Sequence, residues 1–140
     1  NLQYDSNPAL LACFARWSRV HAHLAPYVRQ LCRDADALGL PAQRPLFLHY
    51  PDDRALRQIQ DQFLYGEDLL VAPVIIEGAV ARSVVLPGAG GERWRHVWTG
   101  MDYASGTVDV AAPLGQPPVF YRVGSPFASC FAELPKAAAA

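Results

Sequence analysis

The chain has no run of like charge. Its 12 basic and 13 acidic residues leave a net charge of about −1, which is not the footprint of a nucleic-acid or anionic-membrane binder. No apolar stretch approaches the ~20 residues needed to span a bilayer, and the first residues lack a basic-then-apolar leader pattern. Cysteine is scarce. Cys13, Cys32 and Cys130 form no C-x-x-C spacing and are odd in number, so they are expected to be reduced, buried thiols of a cytoplasmic protein. Cys13 and Cys32 fall on one predicted helix, roughly 28 Å apart at ~1.5 Å per residue, too far for a disulfide. Ser18, Ser83, Ser105, Ser125 and Ser129 sit in no G-x-S-x-G context, and there is no P-loop or G-x-G-x-x-G. Metal ligation finds no support. His21 and His23, two apart on a helix, point about 200° away from one another, and His49 and His96 lack ligand-spaced partners.

What is present is half hydrophobic, 51%, in a length that suits one domain and burial of roughly 68% of the unfolded surface. Asn7 before Pro8 suits an N-cap with proline at the first helical position. From there Leu10, Phe14, Trp17, Leu24, Tyr27 and Leu31 repeat at three and four, which predicts a long amphipathic helix over Pro8–Leu38 ended by Gly39. Pro26 lies inside it and predicts a kink or break near Ala22–Ala25. The stripe Leu10, Phe14, Trp17, Leu24 and Leu31 predicts more apolar surface than one small domain covers, and self-association through it.

Beyond Gly39 the period falls to about two. Predicted strands are Gln43–Tyr50, Leu69–Ile76, Ala81–Leu86, Trp94–Trp98, Thr107–Ala111 and Val119–Arg122, with Ser129–Glu133 as a last edge. Pro51-Asp52-Asp53 reads as a turn and cap, and Arg54–Phe63 as a short amphipathic helix ended by Gly66. Leu69–Ile76 is uniformly apolar, which predicts a strand buried on both faces. Such short strands between Gly/Pro turns predict an antiparallel β-sandwich. The fold class is thus α+β, a long amphipathic helix followed by the sandwich. The expected division is residues 1–39, residues 40–135 as the sandwich domain, and 136–140 as a disordered tail.

Acid/base chemistry by a carboxylate pair needs two carboxyl groups converging on one site. Asp52-Asp53 diverge in a turn, Glu67-Asp68 reads as a solvated loop, and Asp34 and Asp36 lie on the polar side of a helix end. No catalytic, cofactor or metal residue is assigned. The aromatic positions Trp94 and Trp98, on one face of a predicted strand with His96, suit core or domain-interface packing first, with sugar contact as the lesser alternative. Three functions stay open: a segment of an enzyme, a stand-alone carbohydrate-binding sandwich, and an assembly module.

One further pattern runs through Pro41, Arg44-Pro45-Leu46, Pro51-Asp52-Asp53, Asp61-Gln62-Phe63, Gly66 and Leu69–Val74. It resembles the segment that follows the catalytic barrel in glycoside hydrolase family 31, the α-glucosidase and α-xylosidase group. Trp94–Gly100 (WRHVWTG) and Ala112–Tyr121 (APLGQPPVFY) look most like the sulfoquinovosidase branch. The resemblance runs from about Gln3 to Leu134. It implies that Pro8–Leu38 is the last helix of a (β/α)8 barrel, and that the upstream barrel of the same polypeptide is the partner. It also implies that the two catalytic aspartates, and the histidine and arginine that hold the sugar, lie on barrel loops before Asn1.

Overall fold

The computed structural model describes residues 3, 7–88 and 90–139. Helix α1 spans Pro8–His23, and the Asn7 side chain caps it by accepting from the Leu10 N–H at 2.7 Å. Pro26 has no N–H to continue the ladder, and the helix breaks at Leu24 before α2 (Ala25–Leu38) begins. Gly39, at φ +69°, closes α2 through its N–H to Ala35 O.

Eight short strands follow: β1 (Gln43–Arg44), β2 (Phe63–Tyr65), β3 (Leu69–Val71), β4 (Ala81–Leu86), β5 (Arg93–His96), β6 (Asp102–Ala104), β7 (Gly106–Ala111) and β8 (Val119–Arg122). Six of them form one sheet in the order β1-β2-β3-β8-β5-β6, and β4 and β7 form a separate ribbon; every pairing is antiparallel. Leu70 lies opposite both Leu64 and Phe120, and His96 opposite Phe120. Directly opposed residues share a face, so Leu64, Leu70, Phe120 and Trp94 make one apolar surface. The ribbon covers it with Val84, Leu86 and Val110, and Leu46, Tyr50 and Leu56 close its end. The other face carries Leu69 and Tyr121. It is covered by Val20, Tyr27 and Leu31 of the first two helices and by α3 (Ala128–Ala132) and α4 (Leu134–Ala139) through Phe131, Leu134 and Ala138.

Several segments depart from expectation. Gln43–Tyr50 is a strand only at Gln43–Arg44. Pro45, without an N–H, turns the chain into a 3-10 helix at Leu46–Leu48. Arg54–Phe63 is a 3-10 helix only at Arg54–Gln58, Ile59 is extended, and Phe63 opens β2. Gly66 is therefore no helix stop. It sits at φ +70° in the turn joining β2 to β3, against the Tyr27 hydroxyl and Leu31, where a Cβ does not fit. The apolar run Leu69–Ile76 is strand only to Val71, because Pro73 cannot donate to a ladder. Val74, Ile75 and Ile76 lie exposed at 36%, 68% and 70%.

Ser129–Glu133 is not an edge strand. Residues 128–132 are α3, which places Phe131 inward. Residues 136–139, expected as a frayed tail, belong to α4, which packs on α1 and buries Ala138. The cysteines differ as well: all three are free, but Cys13 and Cys32 are exposed. Of the helix stripe, Leu31 is buried, Trp17 and Leu24 pack partly against the sheet, Leu10 is half-buried, and Phe14 stands 53% exposed beside Leu11 at 47%.

Candidate functional site

Trp94 and Trp98 do not form one aromatic platform. Trp94 is fully buried beneath the ribbon, and its indole N–H donates to Pro87 O at 2.8 Å. Strand β5 ends at His96, so alternation no longer governs Trp98. Trp98 sits in the turn that follows and packs with the helix-side cluster. Its N–H donates to Pro117 O at 2.7 Å, and the Trp17 ring meets it edge-on, centroids 6.3 Å apart at 82°. The Arg16 guanidinium lies 5.4 Å from the centroids of both Trp17 and Trp98. The indoles thus occupy opposite faces of the sheet.

Two of the candidate carboxylates, Asp53 and Asp68, are held in structural contacts. Asp53 accepts from Ala55 N at 3.0 Å and caps the 3-10 helix, as its place in the turn predicts. Glu67-Asp68 is only half the solvated loop it was expected to be. Glu67 is exposed, but Asp68 is buried, because the tight turn at Gly66 carries it under β8. Burial pushes the Asp68 carboxyl above its ordinary pKa, opposed by a hydrogen bond from Ser125 and by the charge of Arg122.

Arg122, at the end of β8, is the hub of a polar cluster that the pattern of residues does not reveal. Its guanidinium meets Asp68 at 3.8 Å and Glu92 at 3.5 Å, and it donates to Tyr50 Oη at 3.2 Å and Glu67 O at 3.0 Å. Tyr50 passes its own hydroxyl proton contact to Glu92 at 2.9 Å. Tyr27 donates to Tyr65 O at 2.7 Å and accepts from Asp68 N at 3.3 Å, and burial raises the phenols of Tyr27 and Tyr50 well above the tyrosine range. The cluster pins four segments together: the end of β8, the β2–β3 turn, the approach to β5, and Tyr50 just after the 3-10 helix at Leu46–Leu48. A charged residue directly after the apolar Val119–Tyr121 is the signal that marks Arg122.

A second buried arginine, Arg44, donates to Pro41 O at 2.7 Å and faces His49 Nε2 at 3.0 Å. Burial first, and then the charge of Arg44, lower the pKa of His49. His96 lies against Phe120 with its Nδ1 2.9 Å from Thr99 Oγ1, and burial lowers its pKa. His23 Nε2 is 2.8 Å from Cys130 O and donates there, whereas His21 is exposed. Among the described residues no group of three or more His, Cys, Asp or Glu is arranged to hold a metal, and no helix is long and apolar enough to cross a membrane. The arrangement pairs charges with one another: Arg44 lies 3.9 Å from Asp34, and Asp68 3.8 Å from Arg122.

Residues 39–125 match the Glycosyl hydrolase family 31 C-terminal domain. The chain is 46% identical to the sulfoquinovosidase of Agrobacterium fabrum over 96% of its length, and 43% identical to that of Escherichia coli over 96%. It spans 20% and 19% of those relatives' own lengths. An α-xylosidase of Saccharolobus solfataricus is 29% identical over 79% of the chain. In structure, a family 31 sulfoquinovosidase from E. rectale in complex with an aza-sugar inhibitor superposes over 97% of this chain and 20% of its own, with a TM-score of 0.90 at 39% identity. A family 31 α-xylosidase from a soil metagenome gives a TM-score of 0.86 at 33% identity, over 94% of this chain and 19% of its own. The matched residues and the superposition agree, and the chain belongs to glycoside hydrolase family 31, whose C-terminal domain it carries over residues 39–125.

Proposed function

We propose that this chain is the C-terminal part of a longer retaining α-glycosidase of the sulfoquinovosidase type. Its own contribution is to support a catalytic barrel. The observation that carries the proposal is the 46% identity to a sulfoquinovosidase that runs through 96% of this chain yet only 20% of that relative. In this reading α1 and α2 close the barrel, residues 40–135 form the supporting domain, and the catalytic carboxylates are supplied by upstream residues. The burial of Trp94 and the capping of Trp98 by Arg16 and Trp17 favour packing over sugar contact for both rings. The commitment of Asp68 and Glu92 to Arg122 favours scaffold over chemistry.

The test compares two polypeptides on an aryl α-sulfoquinovoside and an aryl α-glucoside. The longer polypeptide, including the residues before Asn1, is expected to hydrolyse the sulfoquinovoside in preference, and the 140 residues alone to turn over neither. Turnover by the 140 residues that disappears with Asp52→Asn or Asp53→Asn overturns the proposal. Preference of the longer polypeptide for the glucoside overturns its substrate.

A further inference from the structure

The chain leaves a second apolar surface uncovered, away from the exposed side of α1. Ile75 and Ile76 in the β3–β4 connection are 68% and 70% exposed, Val80 71%, and Leu114 in the β7–β8 loop 104%. Val74, Ile76, Val80 and Leu114 face one another across an open groove of about 590 Å³. Single exposed aliphatics are ordinary, but several on one groove mark a surface that something covers. This groove continues into α1. A Cβ added to Gly115, next to Leu114, falls 3.0 Å from an Arg16 guanidinium nitrogen, and the same loop receives the Trp98 N–H at Pro117 O.

Four described arginines hold a buried guanidinium nitrogen without a hydrogen-bond partner, and of these Arg44, Arg82 and Arg122 meet a carboxylate whereas Arg16 meets none among the described residues. Arg16 is half-buried and flanked by two indoles, and its buried Nε has no hydrogen-bond partner among the described residues. A guanidinium fixed in this way has already lost much of its rotamer freedom, so a carboxylate brought to it gains a charge-assisted hydrogen bond at reduced entropic cost.

We infer that the upstream part of the same polypeptide docks on this surface as well as on α1, and that it sets a carboxylate against Arg16 and apolar side chains against Ile76, Val80 and Leu114. The inference rests on the proposed function, because the occupant is the roughly four-fifths of the relatives' length that this chain does not span. The first two turns of α1 are exposed apart from half-buried Leu10, and Arg16 follows them directly. A body that covers those turns therefore reaches the guanidinium and, past it, Leu114.

The experiment measures maleimide labelling rates of single cysteines at positions 11, 76, 101 and 114, introduced by Leu11→Cys, Ile76→Cys, Met101→Cys and Leu114→Cys. The background is Cys13→Ser/Cys32→Ser/Cys130→Ser, with any cysteine of the added residues also replaced, and each variant is made in the longer polypeptide and in the 140-residue chain. Labelling at 76 and 114 is expected to slow at least tenfold in the longer polypeptide, with no change at Met101, which is 57% exposed. Arg16→Glu is expected to restore fast labelling at 114 in the longer polypeptide, and Arg16→Lys to leave it mostly slow. Protection at 11 with free labelling at 76 and 114 overturns the inference and leaves the proposed function standing. Free labelling at all three positions overturns both. Slow labelling in the 140-residue chain that speeds up on dilution assigns the surface to a second copy of the chain and overturns the inference.

Discussion

The two faces of the six-stranded sheet are closed in different ways. Beneath the ribbon, eleven buried side chains have four partly buried neighbours. On the helix side, nine buried side chains have eight partly buried ones. The first face is sealed by strands that the chain itself supplies, and its stability is intrinsic to these 140 residues. The second keeps a full centre around Tyr27, Phe131 and Tyr121, whose rings meet at 4.9 Å and 5.7 Å, but it thins at its edges, where Trp17, Leu24 and Trp98 are half-covered. Burial scales with apolar area removed from water, about 25 cal/mol per Å². The same kind of residue is therefore worth less at the edge of the second face than at the centre of the first.

Substitutions can break this contrast. The largest effect is expected at Trp94→Ala, which empties a fully buried indole site and strands Pro87 O; urea unfolding should show a loss of about 3–5 kcal/mol. Leu70→Ala, at the middle of the same face, should cost about 2–4 kcal/mol. Leu24→Ala, on the half-covered face, should cost about 1 kcal/mol in the 140-residue chain. Equal losses at Leu70 and Leu24 would erase the distinction.

Acid sharpens the contrast further. His96 is buried against Phe120 on the sealed face, and burial holds its folded pKa below its ordinary value of about 6.5. Its contribution to stability is present above the unfolded pKa and is lost as pH falls from about 6.5 toward the folded one, because the unfolded state takes up the proton first. Asp68 runs the other way. Its folded pKa is raised, so the unfolded state releases the proton first, and its share of stability grows as pH falls through the folded value. Stability curves against pH should therefore flatten below about pH 6.5 for His96→Gln relative to the parent. An unchanged slope would mean that His96 titrates as a solvated imidazole. The smallest effect is expected at Leu114→Ala. This side chain is fully exposed, and the change should cost less than about 0.5 kcal/mol.

The sequence makes the sealed face partly legible and the helix side less so. Ala81–Leu86 and Val119–Arg122 are strands with the bounds their alternation predicts, and Thr107–Ala111 gains one residue as β7. Asn7, Pro8, Pro26 and Gly39 mark helix boundaries because capping and the missing proline N–H act locally. The failures occur where a local pattern suits two structures. Leu56, Ile59 and Phe63 sit at helical spacing, yet the tertiary pairing of β2 with β3 claims Phe63 for a strand. In Ser129–Glu133 alternation brings Phe131 inward as a strand residue, and one turn of helix does the same. An apolar run such as Leu69–Ile76 says that something is buried without saying by whom, and here the chain covers only its first half. Arg82 lies within the predicted strand Ala81–Leu86, where alternation says nothing of its partners. Its guanidinium pairs with Asp61 at 2.7 Å and donates to Pro73 O, tying β4 to the segment after β3. The Arg122 cluster was invisible because its members come from four distant segments. Each of them alone looks like an ordinary polar loop residue.

Native-state hydrogen exchange tests most directly the claim that one face is closed by the chain and the other is completed from outside. It is measured on the 140 residues alone and within the longer polypeptide. Amides of β3, β5 and β8 are expected to be equally protected in both, while those of the first two turns of α1 gain protection only in the longer chain. Equal protection of α1 in the two polypeptides would contradict the account, because the helix side would then be as self-sufficient as the sealed one.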